Sequence, residues 1–206
     1  MSEVKTNKIS PATGTAFTLG DSGDTFTVPS GVNIVNSGTA TGFGGGGVLQ
    51  VKSALLQSLF NSNSSSWLPI TGLTVDITPS SASNKIMVIG HLCIVGQVTS
   101  NSLAQFVFGR DGSAIGNGSS CSGSGWNCAG QINQEGSSQT GRGGPYALSF
   151  LDAPASTSSL TYSIMCSASS YGGTRTFYVN ANNAGTADSN FGGSSCITVM
   201  EIDSSV

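Results

Sequence analysis

Short runs of alternating apolar and polar residues, each closed by a turn cluster, recur from Phe17 to Ile202. The first three are TAFTLGDSG, DTFTVPSG and VNIVNSG. Within them Phe17 and Leu19, Phe26 and Val28, and Val32 and Ile34 alternate, which places each pair on one face of an extended segment. Each run ends on a Ser-Gly pair, and the closing glycines Gly23, Gly31 and Gly38 stand eight and then seven residues apart. Asp-Ser-Gly, Pro-Ser-Gly and Asn-Ser-Gly are turn sequences in which glycine is free to take positive φ. The pattern predicts three equivalent corners in an N-terminal β-repeat, residues 1–40.

Gly44 to Gly47 are consecutive glycines, too costly to fix in one conformation, and residues 41–47 read as a linker. No Gly-Lys-Ser/Thr ending follows, so this is not a phosphate-cradling loop. From Val48 to the C-terminus the chain reads as one run of strands: VLQVKSA, SWLPITGLTVDITP, KIMVIGHLCIVGQV, SLAQFVFGRDGSAIG, PYALSFLD, LTYSIMCSA, RTFYVNA and CITVMEID. Clusters such as PSSASN, DGS and GNGSS separate them. In the last run Ile197, Val199 and Glu201 oppose Thr198, Met200 and Ile202, so both faces are largely apolar. That suits a central strand of a two-sheet sandwich or a strand facing a neighbouring subunit. Leucines at helical spacing in VLQVKSALLQSLF also allow a short helix near 52–60. The expected fold class is all-β: a β-solenoid-like stalk, then a jelly-roll β-sandwich over 48–206.

Composition agrees. Charged residues are 8% of the chain, against roughly a quarter in an ordinary soluble domain. Exposed helices therefore lack their usual Glu and Lys. Seven basic residues, scattered and outnumbered to a net charge of −3, cannot form the face that nucleic acid requires. No apolar run approaches the ~20 residues of a membrane helix. MSEVKTNKIS carries no apolar segment of a secretory signal, so the expected place of synthesis is a cytoplasm.

The sequence around Ser22, Gly-Asp-Ser-Gly, is also spelled around the nucleophile of chymotrypsin-like proteases. Ser30 and Ser37 occupy the same place in the next two corners, however, and Asp24 stands where that motif needs a second glycine. The single histidine, His91, lies in the apolar run KIMVIGHLCIV. Ser22 is a turn serine. Asp111, Glu135, Asp152 and Asp188 are isolated acids in turn-like contexts, read as solvated turn residues rather than a glycosidase pair. Arg110-Asp111-Gly112 reads as a hairpin turn. Five cysteines lack metal-ligand spacing, and Cys121 with Cys128 leaves a local disulfide open beside the reading as plain thiols. No enzyme, metal or cofactor is expected.

Phe17, Leu19, Phe26, Val28, Val32 and Ile34 are more than a repeat this short can hide. Each is worth ~1.5–3 kcal/mol when buried. Such repeats need stacking neighbours, and three copies meeting on an axis supply them. For contact with sugars, Trp126 and Tyr146 flank the Gly-rich stretch 121–144, Tyr171 precedes two glycines, and Arg142 suits a carboxylate or phosphate. Trp67 reads as core.

The order VLQV, TGLTVDITPSSASNKIMVIG, FGRDGSAIG, YALSFLDAPASTSSLTYSI, FYVN and ITVMEI resembles a family of bacteriophage virion proteins, the tail-fibre or virion structural proteins of marine and cyanobacterial phages. The opening TNKISPATGTAFTLGDSGDTFTVPSG resembles the N-terminal arms of such fibres. Together the resemblances span nearly the whole chain, and none of their motifs is catalytic. They imply a homotrimeric appendage of a virion, assembled in the host cytoplasm. Residues 1–20 would dock on other virion proteins, and the head would project toward host-surface glycans. A capsid- or neck-attached decoration fibre, or a free glycan-binding module, remains the alternative. The stretch 121–144 is longer and richer in glycine than the family pattern leads one to expect.

Overall fold

The computed structural model describes residues 9–32, 35, 47–95, 102–117, 128–134, 143–170, 176–181 and 193–204. The chain divides into two compact units, Met1–Phe43 and Gly44–Val206. Among the described residues the strands all lie in the second unit: β1 Val48–Leu56, β2 Phe60–Ser62, β3 Leu68–Ile77, β4 Lys85–Val95, β5 Ser102–Arg110, β6 Ser113–Ile115, β7 Gly130–Gln134, β8 Gly143–Asp152, β9 Leu160–Ser170, β10 Phe177–Val179 and β11 Ser195–Ile202. All pairings are antiparallel.

Two of the strand positions in the first sheet are built from consecutive short pieces. β10 pairs with the C-terminal end of β4 while β11 pairs with the rest of the same edge, and β2 continues β1 alongside them. β8 takes the other edge of β4. The first sheet therefore runs β1/β2, β10/β11, β4, β8. In the second, β6 and β7 share one edge of β5, giving β3, β9, β5, β6/β7. Numbering the eight positions in chain order gives 1-8-3-6 packed on 2-7-4-5, which is the jelly roll the sequence leads one to expect.

The core lies between the sheets, where alternate residues of each strand meet. Phe106, Phe108, Tyr162 and Ile164 from the second sheet pack against Ile86, Leu92, Ile197 and Val199 from the first. In β11, CITVMEI alternates as read: Ile197 and Val199 are buried, while Thr198, Met200 and Ile202 face outward, half-buried. The helix allowed near residues 52–60 does not form. VLQVKSALL is the strand β1, its Ala54 packed on the core and Leu56 buried. The reason is tertiary: β1 closes the edge of β11 through a continuous ladder from Gln50 to Leu56, which leucine spacing does not outweigh.

Two short strands are absent from the sequence reading. β2 is three residues long, and β7 lies inside the glycine-rich stretch 121–144, which is therefore not loop throughout. Gly130 permits it, since a side chain there would collide with the ring of Phe106. Asp111-Gly112 forms the β5–β6 hairpin turn, both residues at positive φ (51° and 79°).

Gly90 faces the core from the middle of β4, and a Cβ there would stand 2.9 Å from Ile164 Cδ1 and 3.0 Å from Phe108 Cε1. Replacing Gly90 with valine is expected to overpack this contact at a cost of about 1–3 kcal/mol. A thermal melt should show the transition several degrees lower; an unchanged melt would mean that the sheets do not close here.

Candidate functional site

In the first unit, the described residues 9–32 and 35 form turns and no strand. Two of the three expected corners are in place. Asp24 N donates to Asp21 O at 3.0 Å, with Asp21 N donating to Asp24 Oδ2 at 2.8 Å, and Gly23 takes φ 97°. Val32 N donates to Pro29 O at 3.2 Å, and Gly31 takes φ 84°. The corner at Gly38 lies outside the described residues. Ser22 is an exposed turn residue, as its place in the repeat implies.

Between the corners the apolar side chains stay in water. Phe17 is 49% exposed and Phe26 69%; Leu19 and Val32 fall between them, and Val28 is half-buried. Ile34 lies outside the described residues. Leu19, Gly20, Asp24, Thr25 and Phe26 surround an open cavity of about 270 Å³. Extended backbone without a ladder leaves its N–H and C=O groups to solvent, so strands here would require pairing partners that these residues do not supply to one another.

The sandwich has two unlike ends. At one end β1 begins, β3, β5, β8 and β11 finish, and β4 and β9 begin. Two buried carboxylates tie this end together. Glu201, inward on β11, accepts from Gln50 Nε2 (2.6 Å), Ser80 N (2.6 Å), Ser80 Oγ (2.8 Å) and Asn84 Nδ2 (2.7 Å). It thereby fastens the β3–β4 crossover to the first sheet. Burial alone would raise its carboxyl; the hydrogen bonds from Asn84, Gln50 and Ser80 outweigh this and hold it at about 2.

Asp152, at the end of β8, accepts through Oδ2 from Arg110 Nη1 and Tyr162 Oη, both at 2.6 Å. This links the first sheet to β5 and β9 of the second. Asp152 is thus a buried ion-pair partner rather than a solvated turn acid, because the chain turns only after it. The hydrogen bond to Asp152 raises the Arg110 pKa, and burial raises that of Tyr162. Asp111 is exposed in the β5–β6 turn and accepts through Oδ1 from Thr161 N of β9 at 2.9 Å. Glu135 and Asp188 lie outside the described residues.

At the opposite end, Asn180 adopts φ 61° and is buried. It donates to Leu56 O (2.8 Å) and Ser58 O (3.1 Å) and accepts from Ser195 Oγ (2.8 Å), which in turn accepts from Cys93 N. Connections whose flanking strands both lie at this end include 96–101, 135–142, 171–176 and 180–194. Arg142 and Tyr171 belong to these connections, and Trp126 to 118–127; all three lie outside the described residues. Tyr146 points inward from β8 and stands edge-on to Phe106, ring centroids 5.2 Å apart. Trp67 is half-buried just before β3.

Cys121 is outside the described residues, so the Cys121–Cys128 pairing is too. Burial pushes the Cys166 thiol up to about 12, which makes it a packing residue. Among the described residues no group of three His, Cys, Asp or Glu side chains is placed to hold a metal, and no helix is long and apolar enough to cross a membrane.

No protein-family model matches the sequence, and no curated protein matches it. Among solved structures, the chain is similar to that of the infectious bursal disease virus Gt strain, at 12% identity and TM-score 0.36, covering 74% of this chain and 40% of that one. T=1 particles derived from the same virus give 10% identity and TM-score 0.36, covering 75% and 38%. The VP2 subviral particle gives 10% and 0.32, covering 75% and 40%. The chain spans about two fifths of the length of these chains.

The depressed Glu201 pKa fixes a pH dependence. Its folded value near 2 lies below the ordinary 4.5, so its contribution is complete above pH 4.5 and is lost as pH falls toward 2. That contribution is on the order of 3 kcal/mol. Urea unfolding between pH 7 and 2 should show the loss, and Glu201→Gln should be less stable at pH 7 and flatter across this window. A parallel decline in both proteins would remove Glu201 as the anchor.

Proposed function

We propose that this chain is a non-enzymatic structural component of a phage virion, a homotrimeric fibre whose N-terminal arm docks on the particle and whose jelly-roll head projects outward. The observation that carries this reading is the exposure of Phe17, Leu19, Phe26 and Val32 in the single chain. Three copies on an axis would cover them and give the extended arm its missing ladder partners. The order of blocks that resembles phage fibre proteins supports the same assignment.

The topology of the head also fits. The arm joins at the end where β1 begins, the end tied by Glu201 and Asp152. The connections that carry Arg142 and Tyr171 start and finish at the other end, which would face a host. Recognition of a surface glycan is assigned to the loops of the head, with Arg142, Tyr171 and Trp126 as contacts. Tyr146 is engaged in the core.

Removing residues 1–38 tests the assignment against that of a free glycan-binding module. The truncated chain should be absent from purified particles while the full chain is present. Normal incorporation of the truncated chain would contradict the fibre reading.

A further inference from the structure

The outward side of the first sheet is not what a solvent-facing β-surface usually presents. Antiparallel sheets with one wet face place polar residues there. Here the register puts Val51, Met200, Met87 and Leu151 directly opposite one another in a row across all four strand positions. Ile89 stands in the next row and Leu55 in the one after. Leu55 is 61% exposed and Ile89 41%, with Val51 and Leu151 also exposed and both methionines half-buried. The second sheet differs: its outward Val107 and Met165 are buried within the single chain.

We propose that this face of the first sheet is a contact between heads, and that its occupant is a second copy of this chain. Charge favours self-association. The outward positions of β4, β8 and β11 hold Lys85 and His91 and no carboxylate, so no acid is brought against acid and no strong field steers a charged foreign surface. Apolar content of this kind belongs to obligate homomeric contacts.

Size points the same way. Four strands ~4.8 Å apart and roughly eight residues long at ~3.3 Å each present about 500 Å² of flat face. That lies in the upper part of the roughly 300–600 Å² that the largest patch on a monomer reaches, a patch that is often functional. It falls short of the roughly 800 Å² per partner of a stable free-standing complex. Copies already gathered by their arms, however, meet at effective concentrations in the millimolar range, where a contact this size is sufficient. The inference rests in that respect on the trimeric arm proposed above.

Methionine oxidation reads the face directly, because hydrogen peroxide converts accessible thioethers to sulfoxides that peptide mass spectrometry locates. Three full-length proteins are compared for oxidation and for mass in solution: the wild type, Val51→Asp/Ile89→Asp, and Phe17→Ser/Phe26→Ser. All four substituted side chains are exposed in the single chain, so each protein is expected to fold, and the buried Met165 reports on folding. Met87 and Met200 should oxidise several-fold more slowly in the wild type than in Val51→Asp/Ile89→Asp, with Met165 slow in both. Equal, fast oxidation of Met87 and Met200 in these two proteins overturns the proposal, whatever the mass. A Val51→Asp/Ile89→Asp protein that still sediments as an oligomer while its methionines oxidise quickly supports the face and the arm together. Protected methionines in an oligomer that Phe17→Ser/Phe26→Ser leaves intact would support the face and overturn the arm.

Discussion

Exclusion of water from apolar β-surface is the constraint on which the rest of this structure depends. Large apolar side chains gain free energy by finding apolar neighbours. Inside the head they do: alternate residues of two four-position sheets meet, and Phe106, Phe108, Tyr162 and Ile164 are almost wholly removed from water. Outside it they do not. Phe17, Leu19 and Phe26 in the arm, and Val51, Leu55 and Ile89 on the first sheet, remain in solvent in the single chain. The same physics that closes the sandwich is the basis of the contacts proposed between chains.

The polar groups of the head explain how a sandwich so poor in charge keeps one arrangement. Glu201 and Asp152 are buried carboxylates, and each is tolerated because donors from other elements converge on it. Glu201 accepts from Ser80 and Asn84 of the crossover between the sheets, and Asp152 joins β8 to β5 and β9. Asn180 does the equivalent work at the other end, collecting Leu56, Ser58 and Ser195. A slip of one residue in β11 would turn Glu201 outward and abandon its donors, so these bonds also fix register.

Much of this was legible in the sequence. Alternation in TGLTVDI and CITVMEI announces strands because one face of each is buried, and the apolar run KIMVIGHLCIV announces a strand in the core. The Asp111-Gly112 turn and the corners at Gly23 and Gly31 follow from residue chemistry alone. What was not legible depends on partners distant in the chain. β7 exists because β5 offers it an edge, and β2 because β10 does. β1 overrides its leucine spacing for the same reason. Asp152 resembles a turn acid until folding brings Arg110 and Tyr162 to it. Glu201 could have been marked by its inward position in an otherwise apolar alternation, which is an expensive place for a carboxylate without donors.

Sedimentation equilibrium of the full-length chain over a wide dilution series tests the central claim most directly. The account predicts one species at three times the 20.7 kDa chain mass, about 62 kDa, persisting on dilution. A stable, soluble monomer at all concentrations would contradict it.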